Sequence, residues 1–226
     1  VIGCGYLGAV HAASMAELGH DVVGVDVDAH KVELLSNGRA PFFEPELEDL
    51  LARNVDAGRL TFTQDFSAIE GAQIHFIGVG TPQSESGAAD MTYVDAAVSS
   101  MLPHLGYCTS GPEVVAGKST VPVGTASRLA QAIEPTGALL VWNPEFLREG
   151  FAVQDTLRPD RMVYGLPADP GAATKAQEAM DTVYEQILIS GTPRLLMDYA
   201  TAELVKISAN AFLATKISFI NAMSQV

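Results

Sequence analysis

The sequence predicts an α/β fold: a doubly wound, mostly parallel sheet with helices on both faces, followed by the start of a long central helix. Three observations predict it. Short Val/Ile-rich runs alternate with helix-patterned stretches, the mark of parallel strands joined by crossover helices. The first run leads into GCGYLG, Gly3 to Gly8, where a helix begins. The second run ends on an acid, Asp26.

The predicted strands are residues 1–3, 21–26, 60–63, 74–79, 114–118, 139–142 and 162–165. Helical periodicity fits between them at 6–18, 29–37, 45–56, 93–105, 125–133 and 172–186, and again from about residue 200 to the end. Turn formers leave two long irregular stretches, 80–90 (GTPQSESGAAD) and 143–160, and long loops in compact domains often carry function. Gly191 to Pro193 marks a boundary. The expected division is a dinucleotide-binding domain over residues 1–192 and the start of a helical region over 193–226.

Bulk properties narrow the partners. The chain has 226 residues, 48% of them hydrophobic, which is enough for a sizeable core. A formal charge of −14 argues against a nucleic-acid groove and against an anionic membrane surface. A small phosphorylated ligand stays open, because backbone N–H groups hold phosphate without side-chain charge. Two cysteines, Cys4 and Cys108, make no disulfide framework, so a reducing, cytoplasmic setting is expected. No uninterrupted apolar run of about 20 residues suggests a spanning helix. Residues 1–18 are apolar but lack the basic start of a signal sequence.

The glycine turn carries the first functional reading. Gly3 permits a tight turn, Gly5 lets backbone approach a pyrophosphate, and Gly8 lets helix and strand pack closely. The helix N-terminus then faces the phosphates. Asp26, 18 residues after Gly8, suits the diol of a ribose. Its charge would repel a 2′-phosphate, so NAD is favoured over NADP. Lys31 reaches the same adenosine end. This is a Rossmann-type arrangement. Cys4, inside the turn, reads as a small residue chosen for fit, and Cys108 has no Lys, Arg or His within three residues to activate it.

Ligands of open α/β sheets bind at the carboxyl ends of strands. Three exits there are polar and proline-stiffened: Thr81 after IGVG, Thr120 within STVPVGT, and Glu145 within NPEFLREG. On the last, otherwise apolar helix, Lys206 and Asn210 are four apart and share a face. The remaining features read blandly. The five histidines lack metal-ligand spacing, and His11 and His20 read as surface or helix-end residues. Trp142 reads as core, and residues 44–49 as the solvated acidic start of a helix.

Together GCGYLG, VGVDVDAHKV, GTPQ, STVPVGT, NPEFLREG, RPDRMVYG and KISANAFLATKISFIN, in this order, carry a resemblance. The chain resembles the UDP-glucose/GDP-mannose 6-dehydrogenase family, and EPELEDLLARNVDAGRLTFTQD and GAADMTYVDAA favour the bacterial UDP-glucose branch. The resemblance implies two oxidations of a sugar C6 alcohol by NAD, through a cysteine thiohemiacetal and thioester. It implies that Gly3, Gly5, Tyr6, Leu7 and Gly8 hold the pyrophosphate and that Asp26 and Lys31 hold the adenosine ribose. Thr81, Thr120 and Glu149 would line the cofactor cleft. Thr120 and Glu145 would contact the reacting water, and Glu145, Phe146, Leu147 and Arg148 the nucleotide sugar. Lys206 and Asn210 would stabilise the oxyanion.

The chain departs from that pattern in three respects. The family's GGxCxPKD segment, which carries the nucleophilic cysteine, does not occur in it, nor does a second nucleotide-binding domain for UDP. Ala222 stands where the family commonly has glutamate. The expectation is therefore the N-terminal portion of a homodimeric enzyme, inactive in sugar oxidation alone. Three alternatives stay open: a GDP-mannose dehydrogenase, a β-hydroxyacid dehydrogenase, and a non-catalytic NAD-binding module.

Overall fold

The structure is a computed structural model, and it describes residues 1–85 and 87–225. Ser86, in the expected loop 80–90, and Val226, at the end of the expected last helix, lie outside the described residues. The elements run α1 (Tyr6–Glu17), β1 (Val22–Val25), α2 (Ala29–Ser36), α3 (Leu47–Asp56), β2 (Leu60–Thr63), β3 (Ile74–Ile77), α4 (Thr92–Met101), β4 (Val114–Gly117), α5 (Thr125–Ile133), β5 (Leu139–Trp142), α6 (Ala152–Leu157), β6 (Met162–Leu166), α7 (Pro170–Val183), α8 (Glu185–Ile189), β7 (Arg194–Asp198) and α9 (Tyr199–Met223).

The expected first strand is reduced to Ile2, which bridges Val25 on one side and Ile77 on the other, both in parallel. Through it the β1–β2 pair and the β3–β7 set join into one sheet, ordered β2-β1-Ile2-β3-β4-β5-β6-β7. The chain starts in the middle, winds outward through β1 and β2, then crosses back to β3. That reversal between Ile2 and β3 creates a crevice at the strand ends where a ligand fits. Among the described strands of this sheet, the β5–β6 contact, Trp142 with Gly165, is antiparallel and the other pairings are parallel.

Helices cover both faces. Met15 of α1, Leu50 of α3 and Met180 of α7 belong to one buried cluster. Val98 of α4, Leu129 of α5 and Ala202 of α9 belong to the other. Helix α1 is buried from Gly8 to Ala16, which suits its many alanines: a helix enclosed on all sides needs small residues where neighbours approach.

Several expectations change. The predicted helix 93–105 ends at Met101 and continues as a 3-10 turn over Leu102–His104, because Pro103 has no N–H for an α-helical bond. The 143–160 stretch, expected to be irregular, contains α6. The boundary at 191–193 is followed by β7, which the sequence reading lacks. β7 is an edge strand with four of its five residues exposed, so it carries no burial pattern to read. His11, expected at the surface or at a helix end, lies in the middle of α1 and is 1% exposed. Glu44, expected in a solvated acidic run, is also buried.

Candidate active site

The glycine turn forms as its spacing predicts. Gly3 adopts φ +84°, and a Cβ on Gly8 would lie 1.8 Å from the Gly3 carbonyl oxygen, so neither position accepts a side chain without rebuilding the turn. Gly5 has φ −67° and is the N-cap of α1, with no side chain capping the first turn. A Cβ there would meet nothing within 4 Å. The first amides of α1 thus face open space, an electropositive cradle suited to diphosphate.

Asp26 closes the far end of this cleft. One of its oxygens accepts from the Cys4 amide at 2.7 Å and from the Lys31 ammonium at 2.8 Å, and the other accepts from the Asp28 amide at 3.0 Å. The second oxygen keeps a lone pair for a ribose hydroxyl. Gly3, Gly5, Asp26, Lys31, Val79 and Tyr93 help to line a cleft of about 450 Å³. The cleft is apolar where an adenine would lie and acidic where a ribose would lie.

A second cleft of about 360 Å³ shares Gly5, Gly78, Val79 and Gly80 with the first. Tyr6, Leu7, Thr81, Lys118, Thr120, Glu145, Leu147 and Lys206 also line it. The Thr81 hydroxyl donates to the Thr120 carbonyl at 2.7 Å, tying the ends of two strands together. Glu145 accepts from its neighbour's amide, Phe146, at 2.9 Å, and its other oxygen lies 3.2 Å from the Lys118 ammonium. Lys118 also donates to the Asn143 side-chain oxygen at 3.0 Å and to the Tyr184 hydroxyl at 3.4 Å. Burial lowers the Lys206 ammonium below the ordinary lysine range; Glu145 opposes that shift, while Lys118 and Arg161 add to it. Phe146 carries two cations on its ring, Arg161 at 4.4 Å and Lys206 at 5.1 Å.

Residues 1–188 match the family model described as "UDP-glucose/GDP-mannose dehydrogenase family, NAD binding domain", and residues 200–226 match the central-domain model of the same family. The chain belongs to the UDP-glucose/GDP-mannose dehydrogenase family. The UDP-glucose 6-dehydrogenase of Rhizobium meliloti is 43% identical over 232 residues, covering 100% of this chain and 52% of the relative. TuaD of Bacillus subtilis, a UDP-glucose 6-dehydrogenase, is 42% identical over 233 residues, covering 100% and 48%. Among solved structures, the UDP-glucose dehydrogenase of Pyrobaculum islandicum aligns with a TM-score of 0.88 at 40% identity, over 98% of this chain and 51% of that one. A GDP-mannose dehydrogenase from Pseudomonas aeruginosa aligns with a TM-score of 0.88 at 30% identity, over 97% and 50%. The chain spans about half the length of the curated relatives it matches.

NAD is the cofactor of this dehydrogenase domain, and the cleft fits it. A Cβ at Gly5 would project into open space, the first turn of α1 has no side-chain cap, and the Asp26 carboxylate lines the same cleft, where it could accept from a ribose hydroxyl. The predicted residues do not all converge. Gly5, Tyr6, Leu7, Thr81, Thr120, Glu145, Leu147 and Lys206 share the second cleft. Arg148 is exposed and forks onto Asp155 at 3.0 and 2.7 Å. Glu149 is exposed, and its charge helps hold the Tyr6 phenol protonated. Asn210 is exposed one turn beyond Lys206.

The sequence reading misses Lys118, Asn143 and Tyr184. A lysine closing the apolar run VVAGK was the available signal. Neither cysteine lines the cleft. The Cys4 thiol is pushed up to about 12, chiefly by burial, which leaves it inert as a nucleophile.

Proposed function

We propose that this chain supplies the NAD site and half of the reaction cleft of a UDP-glucose 6-dehydrogenase, which oxidises the sugar C6 alcohol twice to UDP-glucuronate. The single observation that carries the reading is the continuity of the two clefts through Gly5 and Gly78 to Gly80. It sets the glycine cradle beside Thr120, Glu145 and Lys206.

Bound NAD supplies the hydride acceptor for both oxidations. Overall, one alcohol and one water yield a carboxylate, two hydrides and three protons. Lys206, its ammonium 5.1 Å from the Phe146 ring centre, directs that ammonium at the alkoxide and at the tetrahedral oxyanion, where a donor is worth about 3 kcal/mol of barrier. Glu145, oriented by Lys118 and by its own loop, orders the hydrolytic water and accepts its proton. Thr120 bridges the cofactor side and that water, and Thr81 holds the Thr120 backbone. Asn210 is the second oxyanion donor in this reading. Phe146 and Leu147 face the nucleotide sugar in this reading, whereas Arg148 is held by Asp155, and Glu149 approaches the cofactor.

Capture of the aldehyde on a thiol and release from a thioester complete the scheme. Cys4 and Cys108 lie outside the cleft, so that route needs a thiol from beyond these 226 residues. A first unit over residues 1–192, a homodimer and a cytoplasmic role in polysaccharide precursor synthesis belong to the same proposal. The exposed apolar residues of α9, including Phe212, Ile217 and Ile220, support a subunit contact. Among the described residues, no helix is long and apolar enough to cross a membrane.

The 36–43% identity to UDP-glucose enzymes, against 30% to the GDP-mannose enzyme, favours UDP-glucose. The test incubates the complete gene product with NAD and either UDP-glucose or GDP-mannose and identifies products by mass spectrometry. UDP-glucuronate from the first is expected. Oxidation of GDP-mannose alone would replace the substrate, and NAD binding without any oxidation would make the protein a binding module.

A further inference from the structure

Glu44 is a buried carboxylate with no partner cation among the described residues. Such a charge is tolerated only when donors surround it. Three do. The Tyr6 hydroxyl and the Gly150 amide, the latter at 2.8 Å, donate to one oxygen, and the Ala152 amide donates to the other at 2.7 Å. Two of these donors lie more than 100 residues away in sequence, at the end of the Glu145-bearing loop and the start of α6. The third belongs to the first turn of α1, where the cofactor cradle begins.

The segment delivering Glu44 is built at a conformational cost. Glu46 has φ +66°, the sole non-glycine residue with positive φ among the described residues, and such strain persists only where surroundings impose it. The ring of Phe42 packs on the ring of Tyr6 with centroids 5.0 Å apart. Gln154 of α6 donates to Glu46 at 3.2 Å. The near end of the Glu145 loop is fixed separately, by Asn143, whose amide donates to the Gly117 carbonyl at 2.8 Å and whose side chain donates to Val163 at 2.9 Å.

We propose that Glu44 is a positioning residue: it clamps the far end of the loop carrying Glu145, Phe146 and Leu147 and holds the Tyr6 hydroxyl at the wall of the reaction cleft. Glu44 itself does not line that cleft. It acts by fixing, relative to the cofactor cradle, the loop against which the substrate packs. Because the hydroxyl proton is committed to Glu44, the Tyr6 oxygen can act toward any other group only as an acceptor. The phenol is accordingly pushed up to about 12, first by burial and then by the Glu44 bond.

This rests on the proposed dehydrogenase reading for its kinetic arm, whereas its spectroscopic arm does not. In the complete gene product, Glu44→Gln is expected to lower kcat for UDP-glucose by on the order of 100-fold through misplacement of the loop, while the Kd for NAD changes less than threefold. Ultraviolet titration of the same variant is expected to show one tyrosine ionising about one pH unit earlier, and that change vanishes in the Glu44→Gln, Tyr6→Phe double variant. Should Glu44→Gln fail to fold, Tyr6→Phe, which keeps the ring, is expected to move the Gly150 and Ala152 amide resonances. An unchanged tyrosine titration in folded Glu44→Gln, or unmoved amides in Tyr6→Phe, would overturn the proposal. A wild-type protein inactive on nucleotide sugars would sink the dehydrogenase reading and leave Glu44 to be judged on the spectra.

Discussion

The Lys118 ammonium lies 3.2 Å from the Glu145 carboxylate, with the lysine side chain 2% and the glutamate 14% exposed. A pair so withdrawn from water holds its geometry through the low local dielectric, and removing one partner strands the other.

Lys118→Met is therefore expected to destabilise the protein by roughly 3 kcal/mol, since it leaves the Glu145 charge without its partner. Denaturant unfolding measures this. A loss below about 0.5 kcal/mol, the scale of surface substitutions, would mean the pair is solvated.

Lys206→Ala is expected to reduce kcat on the order of 100- to 1,000-fold by deleting one oxyanion donor, with a smaller change in NAD affinity. The pH dependence has a definite sign. In the proposed role the ammonium is the working form, and its pKa is lowered, so activity is expected to fall as pH rises, at a lower pH than an ordinary lysine near 10.5 would give. Lys206→Arg moves that limb upward, because guanidinium does not deprotonate in the accessible range. An alkaline rise in wild-type activity would instead make the lysine a base.

His11 lies between the rings of Phe76 and Tyr184, at 4.3 and 6.4 Å, and burial holds its imidazole well below 6.5. The folded state keeps it neutral while the unfolded state protonates it. Stability is therefore lost as pH falls below about 6.5, by up to about 1.4 kcal/mol per pH unit for this one proton. Burial also lowers His75, so it adds to the same slope. His11→Phe is expected to remove one proton's share, measured by urea unfolding between pH 7 and pH 5.

The glycines of the turn separate folding from binding. Gly8→Ala puts a methyl against the Gly3 carbonyl, a backbone group that cannot rotate away, and is expected to cost roughly 3 kcal/mol or more of stability. Gly5→Ala meets no atom and should fold normally. Its methyl occupies the diphosphate approach, so NAD affinity should fall roughly 10- to 100-fold in calorimetry, on the order of 1.4 to 2.8 kcal/mol.

The central strands are legible in the sequence because both sheet faces are buried, giving unbroken apolar runs such as VVAG and LLVW. β7 is not, because it is an edge strand with four of its five residues exposed. The turn and Asp26 are legible because fixed spacing enforces their geometry. Thr120, Glu145 and Lys206 are legible as strand-end or helix-face polar groups, and the fold brings them to one cleft. Glu44 and His11 are not legible. A glutamate in an acidic run, and a histidine in an alanine-rich helix, look solvated until the distant residues that enclose them are in place. Arg148 looks like a pocket residue in its motif, yet Asp155, seven positions on, holds it outward.

Position 26 offers the most direct test, because the cleft begins there and every assignment along it depends on the cofactor lying in that direction. The measurement is calorimetric titration of NAD and NADP into the complete gene product and into folded Asp26→Ala. Wild type is expected to bind NAD well ahead of NADP, and the variant to bind NAD at least tenfold more weakly, consistent with about 1.5 to 3 kcal/mol for a bond to a charged group. Equal NAD affinity in both proteins would contradict that assignment.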